Sequence, residues 1–565
     1  MSLQWQLSRD VPEDTARIGQ TILGEGNPYR QIGDHFNALF PEEDVFGAMY
    51  EVTGRGAISP LLLALVTVFQ MLEKVPDRLA AAWVVSRIDW KYALHLPLIY
   101  KGFHFTDLYA FRQRLLKHQQ ERMVFEQLLL KLQALGVIKG RGKMRTDSTH
   151  VLGVVERLRQ LELVTESIRV ALCAVERLAA QWVAEALPAS FQEAYSRRQS
   201  EYGLSETEIA HKLVQAGRDG FWFLDQVEGS APASARQLPE VETLRTVLQQ
   251  QFPGGPDEPP VSCRPTGKDV IESPHEPQVR YGTKRAQTWL GYKVQVTETC
   301  DADQPHLIVD LEPTSALEND SPQLPEIQAR LKAQGTLPGE QYVDQGYVSG
   351  QHLINSAKQG ISLMGVPPED TQGPKGFRQT DFTIDESAQQ AICPQGEIST
   401  VWSEKATSDP TAPQILIRFA ARTCQQCAAF GQCTSSSQGR SLTLHPYRQA
   451  LLARRAEAQT HAFRQKMHLR SGIEATISEL TRGHDLRRAR YRGLAKLRLQ
   501  AYFTAVAVNL KRLLRWWKQS QPTQATTARI TKQKSSARDV PNLSLAGVNL
   551  FPPAQRIARF SLSSF

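Results

Sequence analysis

The sequence predicts an α/β protein, a mixed-sheet core with a helical N-terminal domain, a helical insertion and a small cysteine-rich insertion. Three observations carry this. Short β-branched runs alternate with amphipathic helical runs, an order that layers helices on a sheet. Roughly 100 residues of helical pattern, 153–252, separate the first strand from the next. Residues 367–440 then turn rich in Gln, Ser, Thr, Pro and Cys, unlike either neighbour.

The elements follow in order. Ser59-Pro60 starts a helix, with a capping side chain and a proline at the first helical position. LLLALVTVFQMLEKV reads as that helix, largely buried, and RLAAAWVVSRIDWKYALHL as another. Thr106-Asp107 caps a third, LYAFRQRLLKHQQ, apolar on one face and basic on the other. MVFEQLLLKLQALGVI is a fourth. KMRTDSTHVLGVV reads as a buried strand with an acid inside it. The helical stretch after it ends in the linker FPGGPDEPPVS. WLGYKVQVTETC alternates with period two, HLIVDLEPT is a second strand of this stretch, and LPEIQARLKAQG is an amphipathic helix. EQYVDQGYV is a third strand with an acid near its end, VSGQHLINSAKQ is helical and GISLMGV a further short strand.

These shifts divide the 565 residues into an N-terminal helical domain (1–138), the first core strand (139–152), a helical insertion (153–262), core strands and helices (263–366), a cysteine-rich insertion (367–445), basic helices (446–520) and a polar tail (521–565).

Charge is uneven. Net charge is +8, but Pro446–Ser520 alone carries 17 Lys and Arg against 4 Asp and Glu, which leaves the remainder at −5. A basic segment on a mildly acidic body suits a polyanion, because neutralised phosphates release counterions. A solvated helical face is the bland alternative. No apolar run reaches about 18 residues and the N-terminus lacks the apolar centre of a secretory signal, so no membrane span is expected and the cytoplasm is the expected location.

Two acids, Asp147 and Asp344, fall within strand-like runs. A carboxylate in an apolar strand is costly, by several kcal/mol, unless it is paired or binds a cation. Two of them suggest a shared metal site; carboxylates capping the following turns are the alternative. A third acid is not fixed by pattern. Glu474 shares a helix face with Arg470, and on pattern alone a surface ion pair is the favoured explanation. Glu479 and Glu457 compete with it. Cys393, Cys424, Cys427 and Cys433 include one C-x₂-C pair and fit a tetrahedral Zn²⁺ site that would be structural, since four sulfurs close the coordination sphere. Four unligated thiols remain the other reading.

The passage RSGIEATISELTRGHDLRRARYRGLAKLRLQAYFTAVAVNLKRL resembles the C-terminal signature of bacterial insertion-sequence transposases of the DDE group, most closely the insertion-sequence family numbered 1182. KMRTDSTHVLGVV resembles its first-Asp strand, SPHEPQVRYGTKRAQTWLGYKVQVTETCDADQPHLIVDLEPT its central strands, LPGEQYVDQGYVSGQHL its second-Asp segment and FHFTDLYAFRQRLL its N-terminal helical domain. The resemblance spans roughly residues 40–515. It implies a ribonuclease-H-like core with catalytic acids Asp147, Asp344 and Glu474, two Mg²⁺ (or Mn²⁺) ions held by them, and cleavage and strand transfer at the ends of an insertion sequence. It implies as partners the terminal inverted repeats and target DNA, as assembly a homodimer on DNA, and as location the bacterial nucleoid. Lys284, Arg285, Arg487, Arg488, Arg490 and Arg492 would meet phosphates, as would Arg470. The family's Tyr before that Arg is Met467 here, and its following Lys is Thr481, with Arg482 beside it as a substitute of different geometry. Two rivals share these residues: a nuclease that cuts without joining, and an inactive DNA-binding derivative. A zinc-dependent scaffold would leave the two strand acids unexplained.

Overall fold

The N-terminal helices begin where their side chains dictate. Ser59 is extended and its Oγ accepts from the Leu62 amide, so the helix Pro60–Glu73 starts on a capped, proline-led first turn. Every residue from Pro60 to Met71 is buried, and the helix stops at Lys74 in the left-handed conformation. The next run, expected as one helix, is two: Asp77–Ser86 and Ile88–Ala93. The break is Arg87, extended at φ −92 and ψ 121. From there its guanidinium reaches Asp89 at 2.9 Å and Glu73 at 3.0 Å, against the Trp83 and Trp90 rings. Ion pairing and cation–π contact outweigh the helical continuation. The helix Thr106–Lys117 follows, but Thr106 does not cap it. Its hydroxyl bonds the His104 ring at 2.7 Å, and Phe105, already helical, precedes the first turn. Helix Met123–Ala134 closes the region.

In this computed structural model, residues 2–3, 6–261, 265, 267, 269–284, 287–369, 373–407 and 413–520 are described. Met1–Trp516 form one unit and Trp517–Phe565 another. The expected polar tail and Arg285 lie outside the described residues.

The core sheet has six strands: β1 (Lys143–Leu152), β2 (Arg280–Lys284), β3 (Gln287–Thr299), β4 (Ile308–Ser315), β5 (Glu340–Val343) and β6 (Ser362–Met364). β3 is antiparallel to β1 on one side, and to β2 and then β4 on the other. β1, β5 and β6 run parallel. The result is a mixed sheet that changes from antiparallel to parallel at β1, the strand carrying Asp147. Gly291 permits the β1–β3 pairing, since a Cβ there would sit 2.0 Å from the Val151 carbonyl oxygen. Between β1 and β2, helices Gln160–Ala186, Glu206–Ser230 and Pro239–Gln251 bury their own core, with Ile168, Phe223, Val227, Leu244 and Leu248 inside it.

Beyond β6 come five short strands, β7 (Thr383–Asp385), β8 (Gln390–Ile392), β9 (Val401–Lys405), β10 (Gln414–Arg418) and β11 (Ser441–Leu444), in a hairpin and a three-stranded sheet. Helices Arg448–Ala458, His461–Ser471 and Ile473–Ser478 lead into a wide turn, Glu479–Gly483. Residues 487–489 then run alongside the end of β1, where Leu152 donates to Arg487 at 2.9 Å and accepts from Ala489 at 2.8 Å. Helix Leu494–Ser520 follows. Among the described residues no helix is long and apolar enough to cross a membrane.

Candidate active site

Strand register brings the two Asp residues together. β1 and β5 are parallel with Thr146 opposite Val343, so Asp147 and Asp344 are the next residues of neighbouring strands. Asp147 lies mid-strand with its side chain 14% exposed, and its Oδ1 accepts from the Ser148 amide at 2.7 Å. Asp344 lies one residue beyond β5 rather than inside it. It caps the turn Gln345–Tyr347, accepting from the Gln345 amide at 2.8 Å. The capping alternative therefore describes Asp344, and the same side chain still faces Asp147.

The third carboxylate arrives from far along the chain. Arg470, near the end of helix His461–Ser471, places Nη2 2.9 Å from Asp147 Oδ2 and 3.6 Å from Asp344 Oδ2. Its Nη1 lies 3.9 Å from Glu474 Oε1, on the next short helix. One guanidinium thus faces all three acids. Glu474 is 71% exposed, so its side chain is free to change rotamer. Glu479 pairs instead with Lys511 and Arg512, each at 2.9 Å, and Glu457 with Arg454 at 3.0 Å. Burial holds the Asp147 carboxyl above its ordinary value. The Ser148 amide, Arg470 and Lys284 pull it down, and Asp344 pushes it up. Beneath it, buried Tyr347 donates to Gln295.

Residues outside the sequence reading hold the Glu474 helix on the sheet. Glu298, fully buried on β3, accepts from Arg145 Nε at 2.6 Å, Thr476 Oγ1 at 2.5 Å and Arg512 Nη1 at 2.7 Å. Arg145 also donates to the Leu469 carbonyl at 2.8 Å. Gly472 makes room for it: a Cβ there would lie 1.8 Å from Arg145 Nη1. One signal was present in the sequence. Arg145 stands two residues before Asp147 and so projects from the same strand face.

Several of the expected basic residues are exposed or half-buried. Lys284 is exposed at the end of β2, close enough to act on both Asp147 and His150. Arg482 and Arg488 are exposed. Arg487 is half-buried and donates to the His150 carbonyl at 2.7 Å, which ties it to β1. Thr481, at the family's Lys position, is buried and bonds the Ile477 carbonyl. His150 packs on Trp289 with 5.1 Å between ring centres, and burial lowers its basicity, as do Arg487 and Lys284. The four cysteines of the inserted module line one cavity. Among the described residues, no group of three or more His, Cys, Asp or Glu side chains is placed to hold a metal ion.

Residues 392–514 match the family model described as a transposase DDE domain, and residues 17–114 match that of the transposase domain DUF772. No curated protein and no solved structure matches the chain. The first match includes Arg470, Glu474 and the four cysteines; Asp147 and Asp344 lie outside both. Together the two matches support a transposase role in general terms.

Proposed function

We propose that this chain is a DDE transposase, of the insertion-sequence kind that its blocks resemble, cutting DNA at the ends of its element and joining them to target DNA. Asp147, Asp344 and Glu474 are its catalytic acids and would hold two Mg²⁺ or Mn²⁺ ions. The observation that carries the reading is the meeting of three carboxylates, from three distant segments, on the single guanidinium of Arg470. The donor set is all oxygen, as hard divalent cations require. A cationic group already sits among the acids, and its Nε is buried with no hydrogen-bond partner. Bound there, two divalent ions would activate the attacking oxygen and stabilise the leaving one in an in-line displacement at phosphorus.

The residues divide the work by position. Asp147 is central and least exposed, which suits a carboxylate shared by both ions; Asp344 and Glu474 flank it. Arg470 offsets part of the charge of the acids and is placed to grip a phosphate. Ser148, Thr149 and His150 take no covalent part, since water and then a freed 3′-hydroxyl serve as nucleophiles. Lys284, Arg482 and Arg488 offer phosphate contacts, which position DNA without reading its sequence. The change from antiparallel to parallel pairing at β1 supports a ribonuclease-H-like core. Two ends must be held at once, which favours a homodimer on DNA.

The test is an assay with purified chain, Mg²⁺ or Mn²⁺, and a linear DNA carrying the element's ends. Joined products that vanish with Asp147→Asn are expected. Cleavage without joining would favour the nuclease reading. DNA binding with neither step would leave only the inactive derivative.

A further inference from the structure

We propose that Cys393, Cys424, Cys427 and Cys433 bind one Zn²⁺ ion, and that this ion is the principal staple of the inserted module formed by β7–β11. The inference is independent of the DNA chemistry and rests on three features of the module.

The first is convergence. The sulfurs come from three separate places: the turn after β8, the short helix Ala421–Gln425 with the residues after it, and the loop before β11. All four line one cavity, whose wall also holds the apolar Phe377, Phe419 and Phe430.

The second is what faces the sulfurs. The Glu397 amide donates to Cys393 Sγ at 3.3 Å, and the Ala429 and Arg440 amides donate to Cys427 Sγ and Cys424 Sγ, each at 3.4 Å. A neutral thiol is a weak acceptor and gains little from such donors. A thiolate is a strong one, and amides fixed on metal-bound thiolates orient the ligands. Backbone donors on three of four sulfurs are the arrangement for negative sulfur. Plain apolar packing of thiols has no use for them. On the first turn, Gly396 takes φ +88, and its amide bonds the Cys393 carbonyl at 2.8 Å, folding the chain back so that Glu397 can reach the sulfur.

The third is the size of the module. Its buried core consists of Phe382, Ala391, Ile417, Phe419, Leu442 and Leu444, with Cys393, Cys424 and Cys433 partly buried against it. Units this small seldom stand on their apolar core and are completed by disulfides or a metal. The cysteines are free thiols. Each ligating thiol gives its proton to solvent, so binding weakens as pH falls.

The test uses the full-length chain purified under reducing conditions. Elemental analysis should find one Zn²⁺ per chain. Cobalt exchanged into the site should give the absorption of tetrahedral thiolate coordination. Cys424→Ser/Cys427→Ser should lose the metal and expose the module to limited proteolysis, with residues 1–360 still protease-resistant. Metal-free chain whose thiols all titrate freely even after zinc is supplied would overturn the proposal. Disulfides between these cysteines in the chain as isolated would overturn it too. A zinc-bearing chain that fails to join DNA would count against the transposase reading alone.

Discussion

Asp147 and Arg470 stand 323 residues apart, yet touch; the four cysteines fall within a stretch of about 40. The two regions are held together by opposite means. The acids are framed by a six-stranded sheet and a buried ion-pair network centred on Glu298. The cysteines hang on a core of six buried residues. On the proposed readings, the first region is a scaffold that would receive ions, and the second is a module that an ion would complete. They should therefore fail separately. Removing acid function should leave the fold, and removing thiols should loosen a module while the sheet stands.

The sharpest version is Asp147→Asn. Partners that merely orient metal ligands already cost about 10–100-fold when removed, so loss of a shared ligand should cost strand transfer more than about a hundredfold. The fold should not suffer. An acid held above its unfolded value favours folding while protonated, and the folded chain loses that advantage as pH rises through the carboxylate range. At neutral pH the amide avoids burying a charge, and the melting temperature should match or exceed that of the parent. A marked fall would mean that Asp147 is there to hold Arg470, not a metal.

The opposite outcome belongs to Glu298→Ala. It leaves Arg145 and Arg512 without their buried carboxylate and should destabilise by about 3–5 kcal/mol, read from the urea midpoint. Gly472→Ala is the smaller version. Its Cβ meets a guanidinium that is already bonded to Glu298 and Leu469, so about 1–3 kcal/mol of overpacking is expected. Both should also lower activity by shifting Glu474. If stability falls with activity intact, the network holds the fold without positioning the acid.

The difference between the regions also explains what could be read from the chain. The cysteines declared themselves through spacing. The strands, and the Ser59 cap with its proline, declared themselves through local pattern. Asp147 was legible as an anomaly, an acid inside an apolar strand; Asp344, half-exposed one residue beyond β5 and capping a turn, fits the bland alternative as well. Glu474 was not. Locally it is an exposed helical acid with a partner four residues away, and only its resemblance to a known signature singled it out. What brings it to the sheet is Glu298 and Gly472, whose roles depend on Arg145 meeting them across more than 150 residues. Arg87 broke an expected helix for the same reason, because its deciding partner Glu73 lies on another helix. Periodicity reports faces, not the ions and rings that a face will meet.

Arg470 is the residue on which the two descriptions of the acid site part. As an ordinary ion-pair partner it steadies Asp147; as a place-holder for ions it competes with them. It lowers the Asp147 carboxyl from its raised position, so Arg470→Met should leave that carboxyl higher still. Protons then compete with metal at higher pH, and the acid limb of the Mn²⁺-binding profile should move upward by on the order of one pH unit or less. At pH values well above that limb the order reverses. With the guanidinium gone, three carboxylates face one another with no cation between them, and Mn²⁺ should bind more tightly than to the parent. Calorimetric titration of Mn²⁺ at two pH values reads both effects without DNA. Weaker binding at both would mean that Arg470 organises the ligands and does not stand in their ion's place, and the acids would then need another group to hold them apart before metal arrives.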